Sequence, residues 1–316
     1  MKALVFNRHL QEIEMPLPQP RSGEALIRIR LAGICNTDLE IMKGYMAFQG
    51  ILGHEFVGEV VSAEEQYWLN KRVAGEINMG CGECSYCLNG LSRHCQNRQV
   101  LGIQAYPGVF AEYCRLPVSN LHVVPESVPD EEAVWIEPLA AACEILEQFT
   151  VHSHMKVAVI GDGKLGQVCA RVLSQTGCRM TVYGKHPGKL KLLEPFNIRT
   201  ELVKKSTESD FDVVIEASGN PEGLQAAMMR VKPRGTLILK STTHHTVIPN
   251  LNPLVIHELQ LIGSRCGPFE PAIQLLEKKR ISVQELNTKT FPFADWKRAF
   301  EEAEKKESLK ICLDMR

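Results

Sequence analysis

The chain has 316 residues, 44% of them apolar and 23% charged, and its formal net charge is −1. That length and composition suit a soluble chain with a real core and room for two domains, and the near-neutral charge excludes a global field drawing it to nucleic acid or an anionic membrane. No apolar run approaches the roughly 18 residues of a membrane helix. The start, "MKALVF", reads as a strand and not as a signal sequence. The eleven cysteines are odd in number and some, such as Cys169 and Cys312, sit in apolar runs. A reducing cytosol is therefore expected, where clustered thiols mean metal or catalysis rather than disulfides.

Residues 1–75 alternate strand-like runs with Gly and Pro punctuation: "ALVF", "EALIRIRLAGI", "HEFVGEVVSA" and "KRVAGE". A cysteine-rich lobe follows at 77–97, then the short strands "GVFAEYCRLP" and "LHVVP". Near Pro138 the texture changes. "PLAAACEILEQF" predicts a helix with Pro in its first turn. Beyond it "KVAVI", "MTVYG", "FDVVIEASG", "PRGTLILKS" and "ELQLIGS" alternate with helical stretches, which argues for a parallel sheet. The basic run "LVKKSTES" reads as a solvated loop. The tail holds two helical patterns and the strand-like "KICLDM". The expected architecture is a β-rich domain, 1–138, interrupted by an α/β domain at 139–264, with 265–316 returning to the first.

"VAVIGDGKLGQ" places Gly161, Gly163 and Gly166, with Lys164 and Leu165 between, after an apolar strand and at the start of a helix. In that context the three glycines serve a tight turn, close approach to a pyrophosphate and helix–strand packing, so dinucleotide binding is predicted. An acid is expected about 20 residues on, to bind the adenosine ribose. That place holds Gly184, followed by Lys185 and His186. A glycine leaves room for a 2′-phosphate and a lysine can pair with it, so NADP is expected over NAD. The other reading of Lys185 is a strand end in solvent.

The lobe carries Cys81, Cys84, Cys87 and Cys95, spaced C-x2-C-x2-C-x7-C. Four thiolates suit a closed, structural zinc site. Ferredoxin-type runs end in x3, and the x7 gap departs from that. A second set is scattered: Cys35 in "GICNTD", His54 and Glu55 in "GHEFVGEV", and Glu137 in "EPLA". Each has a bland reading as a core thiol, a core histidine or a first-turn carboxylate. Together, thiolate, imidazole and carboxylate with a position left open would make a catalytic zinc site.

Taken in order, "GICNTD", "GHEFVGEV", the cysteine lobe, "EPLA" and the glycine turn resemble the zinc-dependent medium-chain alcohol dehydrogenases over essentially the whole chain. The Glu-Pro-Leu-Ala form resembles the sorbitol, threonine and glucose dehydrogenase branch. The resemblance implies a GroES-like β-rich catalytic domain split around a Rossmann domain with a doubly wound parallel sheet. It implies a catalytic zinc held by Cys35 and His54, with Glu55 and Glu137 competing for the carboxylate place, besides the structural zinc. Asp38 matches the carboxylate that steadies a ligand, and Thr37 the hydroxyl that takes the substrate proton. Glu40 stands where a relay histidine is usual, as a base or facing solvent. Asn36 replaces a basic pyrophosphate contact, and Arg265 is a candidate to meet the phosphate charge instead. The expected activity is hydride transfer between NAD(P) and an alcohol or carbonyl of the polyol, sugar or secondary-alcohol class, by a homodimer or homotetramer with no nucleic-acid or membrane partner. The rivals are a zinc-free quinone or enoyl reductase and a non-catalytic NADP-binding sensor.

Overall fold

The computed structural model describes residues 1–242 and 250–316. They form two compact units: Met1–Glu137 with Ala272–Arg316, and Pro138–Pro271.

The first unit is built on a seven-stranded sheet. Its long strand, Glu24–Ile34, pairs antiparallel with Glu55–Ser62 on one side and with Lys310–Asp314 from the far end of the chain on the other. The strand's apolar residues are buried, Ala25, Ile27, Ile29, Leu31 and Ile34 among them. The alternation of "ALIRIRL" meets the core on one face and water at Arg28. Register then does the positioning. Gly33 stands opposite both Glu55 and Cys312, so the ends of three strands distant in sequence converge beside Cys35. The chain turns there into a short helix, Asn36–Met42.

The second unit is a six-stranded parallel sheet. Its strands are β1 (Lys156–Ile160), β2 (Arg179–Gly184), β3 (Arg199–Leu202), β4 (Phe211–Glu216), β5 (Val231–Leu239) and β6 (Gln260–Gly263), in the order β3-β2-β1-β4-β5-β6. The runs "KVAVI" and "FDVVIE" are buried almost throughout, as strands covered on both faces must be. Tyr183 and Phe211 meet edge to face in this core at 6.0 Å, beside Ala158, Ile160 and Leu237. Burying a side chain such as Phe211 contributes about 1.5–3 kcal/mol. The order reverses between β1 and β4, and in open α/β sheets ligands bind beyond the C-terminal ends of the strands at such a point. The glycine turn and the helix α1 (Lys164–Ser174) follow the end of β1 there. Among the described residues no helix is long and apolar enough to cross a membrane.

Candidate active site and metal centres

Cys35, His54 and Glu55 bring one ligand atom each to within 4.8 Å of one another. Asp38 organises them. Its side chain is fully buried, and Oδ2 accepts from the Cys35 N–H at 2.8 Å. Oδ1 accepts from the Gly53 N–H at 3.2 Å, next to His54 in sequence, and lies 3.3 Å from His54 Nδ1 in an offset contact. One carboxylate therefore ties the thiol's backbone to the imidazole's loop. With Asp38 on Nδ1, Nε2 is the nitrogen left for a metal. Burial works against a charge on His54, but the Asp38 and Cys35 charges and hydrogen bonds outweigh it, and its pKa is raised well above the usual range. The donor set fits a zinc ion, which takes S, N and O ligands at about 2.0–2.3 Å.

Glu55 carries a partner that sequence reasoning missed. Lys310, on the C-terminal strand, pairs with Glu55 Oε2, and both side chains are buried. Its ammonium also lies 4.3 Å from the centroid of the Trp135 ring. Trp135 is fully buried and donates from Nε1 to Asn287 Oδ1 at 2.8 Å, so it packs the wall behind the pair. A Cβ at Gly33 would come within 2.7 Å of Glu55 Oε2, so only glycine leaves the carboxylate its place. The available signal for Lys310 was a lone charge opening an apolar strand, "KICLDM". Nothing local says what it meets 255 residues away.

The other predicted residues fall as follows. Glu137 opens the helix Ile136–Gln148, half-buried, and the close ligand set contains Glu55 as its carboxylate and not Glu137. Thr37 Oγ1 is 3.6 Å from Cys35 Sγ, at the edge of the set. Glu40 is half-buried with Oε1 3.2 Å from Lys43 Nζ, and Asn36 is exposed.

Cys81, Cys84, Cys87 and Cys95 form the second cluster, their four sulfurs within 4.8 Å of one another. Cys84 Sγ lies 3.5 Å from Cys87 Sγ and 3.7 Å from Cys95 Sγ. A hydrogen bond from the Cys87 backbone brings the Cys84 thiol down to about 7, while desolvation pushes Cys87 up to about 11. Four crowded sulfurs on one short loop fit a closed tetrahedral ion.

In the second unit, a Cβ at Gly166 would stand 2.0 Å from the Gly161 carbonyl, whereas one at Gly163 would meet nothing. The turn is closed where helix packs on strand and open where a pyrophosphate approaches. Lys164 and Leu165 begin α1, half-buried. Arg265 is exposed beyond β6, and its carbonyl accepts from the buried Lys240. The space beside Gly184 is not vacant, as the sequence reading supposed: a Cβ there would meet the carboxylate of Asp162 at 2.4 Å.

Residues 21–126 match the alcohol dehydrogenase GroES-like domain and residues 165–278 the zinc-binding dehydrogenase domain. The chain is 27% identical to a sorbitol dehydrogenase of Halalkalibacterium halodurans, over 99% of both chains. It is 34% identical to an L-threonine 3-dehydrogenase of Chelativorans sp., over 70% of both. Among solved structures it resembles a short chain alcohol dehydrogenase from Escherichia coli CFT073 complexed with NADH, at 26% identity and a TM-score of 0.90 over 99% of both chains. With both ligand clusters and the glycine turn in place, these matches show that the chain belongs to the zinc-dependent medium-chain alcohol dehydrogenase family.

Proposed function

We propose that the protein is a two-zinc dehydrogenase that exchanges a hydride between NADP, in preference to NAD, and a polyol, sugar or secondary alcohol. The convergence of Cys35, His54 and Glu55 around Asp38 carries the reading. Cys35 and His54 would hold the catalytic ion with the Glu55 carboxylate, and the family resemblance makes Glu137 the carboxylate that would exchange with it. The cysteine lobe would hold the structural ion. Zinc, when bound, supplies Lewis acidity that lowers the pKa of an alcohol oxygen, and the nicotinamide supplies the hydride acceptor.

The chain's own residues do the rest. Asp38, with Oδ1 3.3 Å from His54 Nδ1, would leave Nε2 to the ion. Lys310 holds Glu55 in place and offsets part of its charge. Thr37, beside Cys35, accepts the substrate hydroxyl's hydrogen bond and takes its proton. Glu40 is the next group along the helix to receive it. A zinc-free reductase or a pure NADP-binding sensor would have no use for a closed four-thiol set and an open three-ligand set together.

The polyol and sugar class rests on the similarity to the sorbitol dehydrogenase. NADP rests on the basic pair Lys185 and His186 after β2. A homo-oligomer is proposed on the exposed side of the parallel sheet, where β6 ends the strand order and Leu261, Val255 and Ile256 are exposed. The test is zinc content by mass spectrometry together with oxidation assays on a panel of polyols and secondary alcohols with NADP and NAD. Absence of zinc, or a zinc-loaded protein inactive across the panel, overturns the reading.

A further inference from the structure

Asp162, between the first two glycines of the dinucleotide turn, has a role that the motif does not assign. Its carboxylate is buried and takes three donors from a single segment. Oδ2 accepts from the Lys185 N–H at 2.8 Å and the His186 N–H at 2.7 Å, and Oδ1 from His186 Nδ1 at 3.0 Å. It occupies the space a side chain at Gly184 would need. That is where the strand-end acid projects in the dinucleotide fold. An acid is therefore present at this end of β2, but it comes from the glycine turn. Three of its roughly four acceptor positions are used, which leaves it poorly placed to take a pair of ribose hydroxyls.

The same segment is tied from behind by two fully buried residues of α1. Gln167 Nε2 donates to the Lys189 carbonyl at 2.8 Å and Arg171 Nη2 to the Leu192 carbonyl at 3.1 Å. His186 is therefore held at both its backbone and its ring. Because Nδ1 is engaged, the opposite nitrogen, Nε2, faces away from Asp162 on a side chain 38% exposed. Lys185 is differently placed. Its ammonium lies 3.3 Å from Glu222, and both side chains are at least half exposed, so that cation is shared with a carboxylate and screened by water.

We propose that His186, held by Asp162, rather than Lys185, distinguishes a 2′-phosphate from a 2′-hydroxyl on the cofactor's adenosine ribose, and that Asp162 is its positioning residue. The proposal rests on the NADP reading above. In its doubly protonated form the ring donates from Nδ1 to Asp162 and presents its Nε2–H to the phosphate, with little side-chain freedom left to lose.

The test is fluorescence titration of zinc-loaded full-length protein with NADPH and NADH, repeated with 2′,5′-ADP and 5′-AMP as competitors. His186→Ala is expected to weaken NADPH and 2′,5′-ADP roughly tenfold or more, the loss of one charge-assisted contact, and NADH and 5′-AMP less than about twofold. Lys185→Ala is expected to weaken either cofactor by less than about threefold, since its charge is screened. Asp162→Asn is expected to reproduce the His186→Ala loss for NADPH while NADH binding changes by less than about twofold, a cofactor-selective loss that a merely structural role would not give. If Asp162→Asn fails to fold, the two surface variants still decide. Equal losses for NADPH and NADH in His186→Ala, or a preference removed by Lys185→Ala alone, overturn the assignment. A wild-type preference for NADH overturns the NADP reading and this one with it. An NADPH preference that survives His186→Ala overturns this one only.

Discussion

Lys310 and Glu55 form a buried ion pair beside the candidate catalytic ligands, with side-chain exposures of 0% and 3%. Burial works against the lysine's charge, but Glu55, with Cys35 and Cys312, outweighs it and raises its pKa. Removing one partner of such a pair leaves the other charge buried without compensation, which costs about 3–5 kcal/mol. Lys310→Met is expected to destabilise the protein, stripped of metal with a chelator, by that amount in urea unfolding. The double variant with Glu55→Gln should recover most of the loss, because the orphaned charge is then gone as well. A single-variant loss under about 1 kcal/mol would mean that the pair is not energetically a buried one.

His54 gives the catalytic set a pH dependence of known sign. An ion binds the neutral imidazole, and in the metal-free fold the His54 pKa is raised, with Asp38 and Cys35 overcoming burial. A proton therefore competes with the ion below that raised pKa, and affinity falls as pH falls, by up to about tenfold per unit for this one group. Asp38→Asn removes the largest cause favouring the charged form, so the fall should begin at lower pH. Well above the transition the same variant should bind about 10–100-fold more weakly, because the ring loses its orienting partner. Competition titrations with a chromophoric chelator at several pH values measure both.

Thr37 is expected to act on turnover and not on metal. Its hydroxyl lies beside Cys35 at 3.6 Å. Thr37→Val should lower kcat by about 10²–10⁴ with zinc content unchanged, and Thr37→Ser should restore most of the rate. A parallel loss of zinc would move Thr37 from proton transfer to ligand support.

The four-cysteine lobe should separate from catalysis. Cys84→Ser is expected to lower zinc from about two ions per chain to about one, and to lower Tm by several degrees. Turnover per remaining catalytic zinc should fall much less. Mass spectrometry of the intact protein, alongside assays at low temperature, distinguishes this from a loss of both ions.

What was legible in the sequence was local. The spacing of Cys81, Cys84, Cys87 and Cys95 lies within fifteen consecutive positions, and the glycine turn within six. In both, chemistry constrains a short stretch of backbone, so residue order alone carries it. Cys35, His54 and the second carboxylate were nameable as candidates through the resemblance to a family, but their convergence is a matter of register: Gly33 opposite Glu55 and Cys312 brings three strands to one point. Lys310 was invisible for the same reason, since strand pairing at a separation of 255 residues leaves no local pattern.

Gly184 shows the limit most directly. The sequence expectation was that its missing side chain leaves room for a 2′-phosphate, but the carboxylate of Asp162 stands in that space, and the two basic residues after it remain the argument for NADP. Only the tertiary structure decided what fills that room. Asp162 lies 22 positions earlier, and it reaches Gly184 because parallel pairing of β1 with β2 sets their C-terminal ends side by side. The sequence by itself determined which chemical groups this protein has to work with. The pairing of strands, whose partners no local pattern names, decided which of them meet.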